Sequence, residues 1–287
     1  MRREDRAFSR TASMVLRGEL ISLKTPLVMG ILNLDTESFY AGSRVKGIDA
    51  ALSKVAQMQK EGLDILDIGA SSSRPGAPII AAEEEWTRLK DTLSEIKNNF
   101  PKLYMSIDTL HWSVAERCLD QGVDLINDIS GGTFDAEMIS GIGLRKTPYI
   151  CMHMKGTPAT MQRAAQYTDV LTEVIAYLSE RVQTCRAAGI EQLILDPGFG
   201  FGKTSLHNFE LLQGLGDIAS LGCPLLVGIS RKRMIYGNLD GNPEEALNGT
   251  TALHMAALER GADILRVHDV KEATECIKLF SLLQNPS

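Results

Sequence analysis

Polar side chains follow a series of short apolar segments, and their types suit a flat heterocycle and an anion. Carboxylates accept two parallel hydrogen bonds from an amidine-like N–H pair, and an amide both accepts and donates. Cations on the same rim suit a phosphate group. The groups that could read a heterocycle are Asp108, Asn127 and Asp196. The groups suited to phosphate are Arg74, Lys203, Lys232, Arg266 and His268.

The spacing of these polar groups indicates repeated β–α units. The apolar segments lack clean alternation, which is typical of parallel strands that are buried on both faces. Amphipathic segments at 50–62, 83–100 and 168–189 predict helices between them. One polar or glycine marker ends each predicted strand. The eight markers are Asn33, Gly69, Asp108, Asn127, His153, Asp196, Ser230 and His268.

Eight such units predict an α/β fold, a (β/α)8 barrel whose C-terminal strand ends meet at one pocket. A doubly wound sheet would usually need fewer strands and a switch point, and no dinucleotide-binding glycine fingerprint follows the first strand. Residues 14–24 predict a short N-terminal β-hairpin, and residues 1–13 a disordered arm. Residues 14–287 are expected to form one domain. The fourth helix, around Gly141–Gly143, has the least regular pattern.

Composition excludes several classes of protein. The net charge of −6 gives no global basic field for nucleic acid. No apolar run approaches the roughly 20 residues of a membrane span, and the charged N-terminus is not a signal peptide. The five cysteines are scattered and lack CxxC spacing, which favours reduced thiols in the cytoplasm over a structural zinc site.

Each polar residue also has a structural explanation when it is taken singly. An Asp or Asn at a strand end is usually a helix cap or turn residue, and a lone histidine is more often structural than catalytic. The glycine-rich segment 198–203 lacks Walker spacing and could be a flexible loop. However, seven of the eight markers can form hydrogen bonds and should face one volume. This shared position favours a functional site.

Eight motifs at these positions resemble those of the dihydropteroate synthase family of pterin-binding enzymes. The resemblance extends over roughly residues 26–282, and the motifs occur in the family's order. They are VMGILN (28–33) with SF at 38–39, SRPG (73–76), SIDT (106–109), LINDISGG (125–132), MHMKGTP (152–158), ILDPGFGFGKT (194–204), GISRK (228–232) and RVHDV (266–270).

The resemblance implies an activity in folate biosynthesis. Such enzymes join 6-hydroxymethyl-7,8-dihydropterin diphosphate to p-aminobenzoate and release 7,8-dihydropteroate and diphosphate. It also implies Mg²⁺ as cofactor, small molecules as the substrates, a homodimer, and competition by sulfonamides that mimic p-aminobenzoate. A dissociative substitution is the expected chemistry, with diphosphate leaving before the neutral arylamine attacks.

The resemblance further implies a role for each site residue. The pterin would be bound by Asp108, Asn127, Asp196 and Lys232. The diphosphate would be bound by Asn33, Arg266 and His268, and Asn33 would also hold Mg²⁺. The p-aminobenzoate slot would be formed by Ser72, Ser73, Arg74, Pro75, Phe201 and Ser230, with Lys203 a further candidate. The residues expected to act in catalysis are Asp108, Lys232 and Asn33, with Asp108 supporting the methylene cation.

Two loops depart from the family pattern. The first loop usually reads Asn-x-Thr-Pro-Asp-Ser-Phe, but here Asp35, Thr36 and Glu37 occupy its third to fifth positions and Ala41 replaces a common acidic residue. Loss of the proline removes a fixed φ and should loosen the loop. In the second loop, Ala70–Ser71 replaces the usual Gly-Glu. These changes affect the loops and leave the pterin-binding positions intact.

Two alternative functions follow from the same residues. A methyltransferase domain that moves a methyl group from methyltetrahydrofolate to a corrinoid protein shares the barrel and the pterin-reading carboxylate and amide. It does not need the motifs at 73–76, 228–232 and 266–270, which the resemblance assigns to diphosphate and p-aminobenzoate. A non-catalytic pterin-binding paralogue is the second alternative, and the altered first loop is what raises it.

Overall fold

The structure, a computed structural model, describes residues 13–34, 47–71, 76–161 and 164–284. The predicted disordered arm lies outside these ranges except for Ser13, which begins the first strand. The strands are β1 (Ser13–Leu16), β2 (Glu19–Ser22), β3 (Leu27–Asn33), β4 (Ile65–Gly69), β5 (Tyr104–Asp108), β6 (Leu125–Asp128), β7 (Tyr149–Met152), β8 (Leu193–Asp196), β9 (Leu226–Val227) and β10 (Ile264–Val267).

The predicted hairpin is present, and it closes the N-terminal end of the barrel. β1 and β2 pair antiparallel around a two-residue turn at Arg17 and Gly18, both with positive φ. Two positive φ values give the turn a twist that matches the strands it joins. The buried side chains of Met14 and Leu16 pack against the apolar residues at the base of the barrel.

β3 to β10 form a parallel sheet that curls into the predicted barrel. Their order along the sheet is β8-β7-β6-β5-β4-β3-β10-β9, so each strand neighbours the next one in sequence. The two edges meet at a parallel bridge between Leu195 and Leu225, where the Leu195 N–H donates to the Pro224 carbonyl at 2.9 Å. This order has no reversal, so the doubly wound alternative is wrong.

The helices cover the outside of the barrel. The segments predicted at 50–62, 83–100 and 168–189 form α1 (Ile48–Glu61), α2 (Ala82–Asn99) and α5 (Val170–Ala187). No helix in the described ranges is both long enough and apolar enough to cross a bilayer. The others are α3 (Trp112–Asp120), α4 (Met138–Arg145), α6 (Ser205–Gln213), α7 (Leu215–Ala219), α8 (Arg233–Tyr236), α9 (Leu247–Glu259) and α10 (Val270–Gln284).

The interior of the barrel is layered, and a polar layer lies directly on an apolar base. The base contains one buried residue from each of seven strands: Met29, Ile65, Leu125, Ile150, Ile194, Leu226 and Ile264. Side chains two residues apart on a strand face the same side. Two residues beyond four of these base positions, the inward side chains are those of Asp67, Asn127, Asp196 and Arg266. The sequence therefore changes from apolar to polar at one level of the barrel.

α4 shows why its sequence pattern was irregular. A Cβ atom on Gly141 would lie 2.3 Å from the Trp112 ring, and one on Gly143 would lie 1.9 Å from the Ala188 carbonyl oxygen. Both glycines therefore bring the helix backbone into direct contact with its neighbours. At these two positions glycine takes the place of the apolar side chains that would make the helical pattern regular.

We expect Gly143→Ala to destabilise the fold by about 2–3 kcal/mol, because backbone atoms must move to admit the new methyl group. Urea unfolding followed by circular dichroism measures this effect. Ser140→Ala, at an exposed position of the same helix, should change stability by less than about 0.5 kcal/mol. Equal unfolding midpoints for the two variants would contradict the close contact.

α10 has both a buried and an exposed apolar face. Ile277 and Phe280 are buried against the barrel wall, whereas Leu279, Leu282 and Leu283 are more than half exposed. On this helix, the apolar surface available to a dimer partner is therefore that of the three leucines.

Candidate active site

Arg266 of β10 lies in the polar layer and is paired with two carboxylates. Its Nε donates to Asp67 Oδ2 and its Nη2 donates to Asp108 Oδ2, both at 2.7 Å. Asn127 Nδ2 donates to the same Asp67 oxygen at 3.0 Å. Asp67 Oδ1 is buried and has no hydrogen-bond partner among the described residues. One guanidinium therefore serves two carboxylates at the base of the pocket.

These contacts set the charge state of the pocket. Burial raises the pKa of Asp108 to about 7; Arg266 opposes the rise, and the carboxylates of Asp67, Asp128 and Asp196 add to it. Burial alone would lower the pKa of Arg266, but the carboxylates of Asp67 and Asp108 together have the larger effect, so the pKa is raised. Arg266 is therefore a permanent cation, while Asp108 gains or loses its proton near neutral pH.

Asp196 ends β8 with one oxygen engaged and the other available. Its Oδ1 accepts the Gly198 N–H at 2.7 Å, and Oδ2 accepts no hydrogen bond from the described residues. Burial raises its pKa, and the Lys232 ammonium opposes that rise. The turn needs glycine at 198, where φ is +71° and a Cβ would lie 1.9 Å from the His153 carbonyl oxygen. The free oxygen suits an N–H donor of a ligand.

Lys232 and Phe201 form one wall of the pocket. The Lys232 ammonium donates to the Phe199 carbonyl and lies 4.6 Å from the centre of the Phe201 ring. Its stem passes close to Gly200, where a Cβ would lie 3.2 Å from Lys232 Cδ. Burial lowers the pKa of Lys232 to about 8, although Asp196 opposes that fall. The group therefore carries its charge for most of the time at pH 7.

Ser230 and His268 form a hydrogen-bonded pair beside this wall. Ser230 Oγ accepts the His268 backbone N–H at 3.2 Å and lies 3.0 Å from the ring Nδ1. If the hydroxyl donates its proton to Nδ1, the neutral ring carries its own proton on Nε2. Burial lowers the pKa of His268 to about 3. His268 is therefore a neutral donor at pH 7 and not a cation.

Asn33 lies at the level of Asp108 in the sheet. Register pairs Asn33 with Gly69 and Gly69 with Asp108. A Cβ on Gly69 would lie 3.4 Å from Asn33 Oδ1 and 3.5 Å from Asp108 Cβ. The small residue between them leaves the amide oxygen and the carboxyl on either side of one gap.

Comparison with known proteins gives one consistent result. A family model described as "Pterin binding enzyme" matches residues 29–268. The chain is 38% identical over 267 residues to the dihydropteroate synthase of Haemophilus influenzae, covering 92% of this chain and 96% of that one. The chain belongs to the dihydropteroate synthase family.

Solved structures in this family have the same fold. The Yersinia pestis dihydropteroate synthase, described with a sulfonamide drug complex, superposes with a TM-score of 0.91 at 35% identity, covering 95% of this chain and 99% of that one. The Thermus thermophilus enzyme, described in complex with 4-aminobenzoate, gives 0.85 at 36% identity, covering 94% and 99%. Both support the barrel as the scaffold of the site.

The structure brings most of the residues implied by the family resemblance into one pocket. Arg266 contacts Asp108 directly and is linked to Asn127 through Asp67, and Lys232 with Phe201 forms the adjoining wall. The predicted p-aminobenzoate residues Ser72, Ser73, Arg74 and Pro75 lie outside the described residues. So do the altered first-loop positions Asp35, Thr36, Glu37 and Ala41.

Asp67 is the site residue that the sequence argument missed. Predictions were made at strand ends, whereas Asp67 lies inside β4, two residues before its end at Gly69. A signal was available, because Asp67 follows the base residue Ile65 by two positions, as Arg266 follows Ile264. A buried aspartate within an apolar strand is costly unless it is paired, and Arg266 supplies that pairing.

Lys203 was predicted among the phosphate-binding cations, and the structure contradicts this. Lys203 is 4% exposed, and its ammonium donates to the carbonyls of Gly198 and Phe201 at 2.9 and 3.0 Å. It also bonds His153, both at Nδ1 at 2.8 Å and at the carbonyl at 3.3 Å. Burial lowers the pKa values of both side chains, that of His153 to about 2. The pair is structural and shapes the 198–203 loop.

We expect Lys203→Met to destabilise the protein by about 3 kcal/mol, because it leaves buried carbonyls without donors. The displaced loop carries Phe201, so affinity for the arylamine should fall as well. Thermal unfolding and calorimetric titration measure the two effects. Lys155→Met is the control, since its half-exposed ion pair with Glu173 is screened by water and should contribute far less to stability. A fully stable Lys203→Met variant would contradict a structural role.

Proposed function

We propose that the chain condenses 6-hydroxymethyl-7,8-dihydropterin diphosphate with p-aminobenzoate to form 7,8-dihydropteroate and diphosphate. The observation that carries this proposal is the arrangement of pterin-reading groups beside a cation. Asp196 and Asn127 present an acceptor and an amide in the same layer as Arg266, which lies next to Asp108. Membership of the dihydropteroate synthase family supports the same reaction.

The proposed roles combine the geometry of the pocket with the roles that the family resemblance implies. The free oxygen of Asp196 accepts from the pterin N–H groups, and Asn127 completes their recognition. The C–O bond to the diphosphate breaks with its electron pair going to the leaving group, and ionised Asp108 stabilises the methylene cation. The neutral arylamine then forms the C–N bond and loses a proton to solvent. Arg266 and the His268 Nε2–H bind the charged leaving group.

The dissociative order of these steps is part of the proposal. A substrate with a much poorer leaving group should slow the single-turnover rate by more than about tenfold, because departure of the leaving group is then limiting. An unchanged chemical rate on that substrate would contradict this order.

Mg²⁺ is proposed as the cofactor, held by Asn33 and the diphosphate. Among the described residues, no cluster of three or more His, Cys, Asp or Glu could hold an ion by itself. A single amide oxygen beside Asp108 fits a cation that takes its other ligands from phosphate and water, as Mg²⁺ usually does. Bound there, the ion would neutralise charge on the leaving diphosphate.

A homodimer and a cytoplasmic location complete the proposal. Exposed Leu279, Leu282 and Leu283 on α10 would lose contact with water in a dimer, which is favourable. Light scattering of wild type and Leu282→Glu tests this assembly. All five cysteines are free and buried, which supports a reducing compartment.

The decisive experiment measures diphosphate release with and without p-aminobenzoate. Amine-dependent release supports the synthase. Pterin binding without any release would support a non-catalytic paralogue, and methyl transfer from methyltetrahydrofolate to a corrinoid protein would support the methyltransferase.

A further inference from the structure

Two adjacent residue pairs connect the loops that follow β9 and β10. The first pair is Ser230 with His268, joined by the two hydrogen bonds described above. The second pair is Arg231 with Asp269, each the next residue in the chain. The neutral pair belongs to the proposed diphosphate site. The ionic pair takes no direct part in the proposed reaction.

The Arg231 side chain is buried, and all three of its guanidinium nitrogens are engaged. Nε and Nη2 donate to the two Asp269 carboxylate oxygens at 2.8 and 2.9 Å. Nη1 donates to the carbonyls of Pro243 and Glu244 at 2.8 and 2.7 Å. The backbone N–H of Arg231 donates to Thr250 Oγ1 at 3.1 Å. One side chain thus ties the β10 loop to the segment between α8 and α9.

The backbone at Arg231 explains why this anchoring is needed. Its φ is +53°, a left-handed conformation that a non-glycine residue seldom adopts. Such a conformation persists only where the surrounding structure enforces it, and it is found disproportionately at functional sites. Here the turn separates Ser230, which contacts His268, from Lys232, which lies over Phe201. Release of Arg231 would therefore disturb both neighbours.

Stability alone does not account for the pair. The desolvation cost of a buried ion pair offsets most of its attraction, so apolar residues of similar size often stabilise a fold as well. What apolar residues cannot provide is the fixed geometry of a bidentate guanidinium–carboxylate contact. That geometry fixes the position of Asp269 and, through the chain, of His268.

We propose that Arg231 and Asp269 are positioning residues that hold the His268 imidazole in register with Ser230 for binding the diphosphate of the substrate. The inference rests on the proposed function, since it concerns the leaving-group end of that site. Lysine cannot replace Arg231 here, because an ammonium does not present two parallel N–H bonds. The carboxylate of Asp269 is needed for the same reason.

The chain supplies a matched control at the opposite end of the barrel. Arg17 also contacts a carboxylate through two nitrogens, reaching Asp124 at 2.5 and 2.8 Å. It likewise donates to two carbonyls, those of Pro101 at 2.8 Å and Leu103 at 2.6 Å. Arg17→Lys therefore makes the same chemical change in a similar contact that lies away from the pocket.

The test compares Arg231→Lys with Arg17→Lys, using inorganic diphosphate with Mg²⁺ as the binding probe. In Arg231→Lys we expect diphosphate affinity to fall at least about tenfold, the effect of losing a well-placed hydrogen bond to a charged group. The KM for the pterin diphosphate should rise by a larger factor than the affinity for the bare pterin falls. The ¹⁵N resonances of the His268 ring should shift. Arg17→Lys should lower the melting temperature and leave the other readouts unchanged.

Each outcome decides the matter. Unchanged diphosphate affinity in a folded Arg231→Lys variant, or wild-type protein that does not bind diphosphate, would overturn the proposal. If Arg231→Lys does not fold, Asp269→Asn provides the same test, because it keeps the size but loses the charged bidentate partner. Wild type that binds diphosphate but does not turn over, with binding weakened in Arg231→Lys, would refute the synthase function and leave this inference intact.

Discussion

Asp196→Asn is expected to lower pterin affinity by about 10²- to 10³-fold, because one carboxylate oxygen that would accept a ligand N–H becomes an amide donor. The Asn oxygen can still accept the Gly198 N–H, so the turn after β8 should survive. The loss then falls on the oxygen that faces the ligand. Calorimetric titration with 6-hydroxymethylpterin measures it, and kcat/KM for the diphosphate substrate should fall by a similar factor.

The control for this prediction is Asp263→Asn, at a residue that directly precedes β10 at the N-terminal end of the barrel. Asp263 is as buried as Asp196 and also accepts a backbone N–H, that of Leu225 at 2.9 Å. Its replacement should reduce stability and leave pterin affinity unchanged. If both variants bound the pterin equally well, Asp196 would not be the residue that recognises the heterocycle.

Much of the fold could be predicted, because the signals for it are local. Apolar segments without alternation marked the parallel strands, and amphipathic segments marked helices such as α1 and α5. α4 was the exception. Its packing depends on backbone contact at Gly141 and Gly143, and that contact depends on Trp112 and Ala188, which are distant in sequence.

The candidate site could be predicted at strand ends but not in full. Asp108 and Asp196 end their strands as expected, because the C-terminal ends of barrel strands meet at one pocket. Ser230 does not, since β9 ends at Val227 and a left-handed turn follows at Arg231. Lys203 was misassigned because residue type does not reveal whether a lysine donates to a ligand or to carbonyls of its own loop.

The polar layer has a shortage of cations, which makes Arg266 the most sensitive residue in it. Asp67 and Asp108 share its guanidinium, and no described residue donates a hydrogen bond to one of the two carboxylate oxygens of Asp67. Pairing holds both carboxylates in place in a buried environment. It also keeps Asp108 ionised over part of the neutral range, the state that supports a developing cation.

Arg266→Met is therefore expected to cost about 3–5 kcal/mol of stability, since removing one partner of a buried ion pair leaves the other charge uncompensated. We expect kcat/KM to fall by about 10³-fold, because the pocket loses both a leaving-group cation and ionised Asp108. Urea unfolding and diphosphate release measure the two losses. Arg260→Met, at a surface pair with Glu259, should change stability by about 0.5 kcal/mol or less.

The pH dependence of this variant separates the ion pair from simple loss of packing. Without Arg266 the pKa of Asp108 rises above its present value of about 7. When the pKa of a carboxyl is raised in the folded state, stability falls as the pH rises towards that pKa. The reason is that the unfolded chain has already released the proton, whereas the folded protein still holds it. Below pH 7 Asp108 is mostly protonated in both the wild type and the variant. The additional loss of stability in the variant should therefore appear above about pH 7. The free energy of unfolding at pH 6 and pH 8.5 measures this loss. A stability difference between wild type and variant that is equal at both pH values would show that Arg266 acts by packing alone.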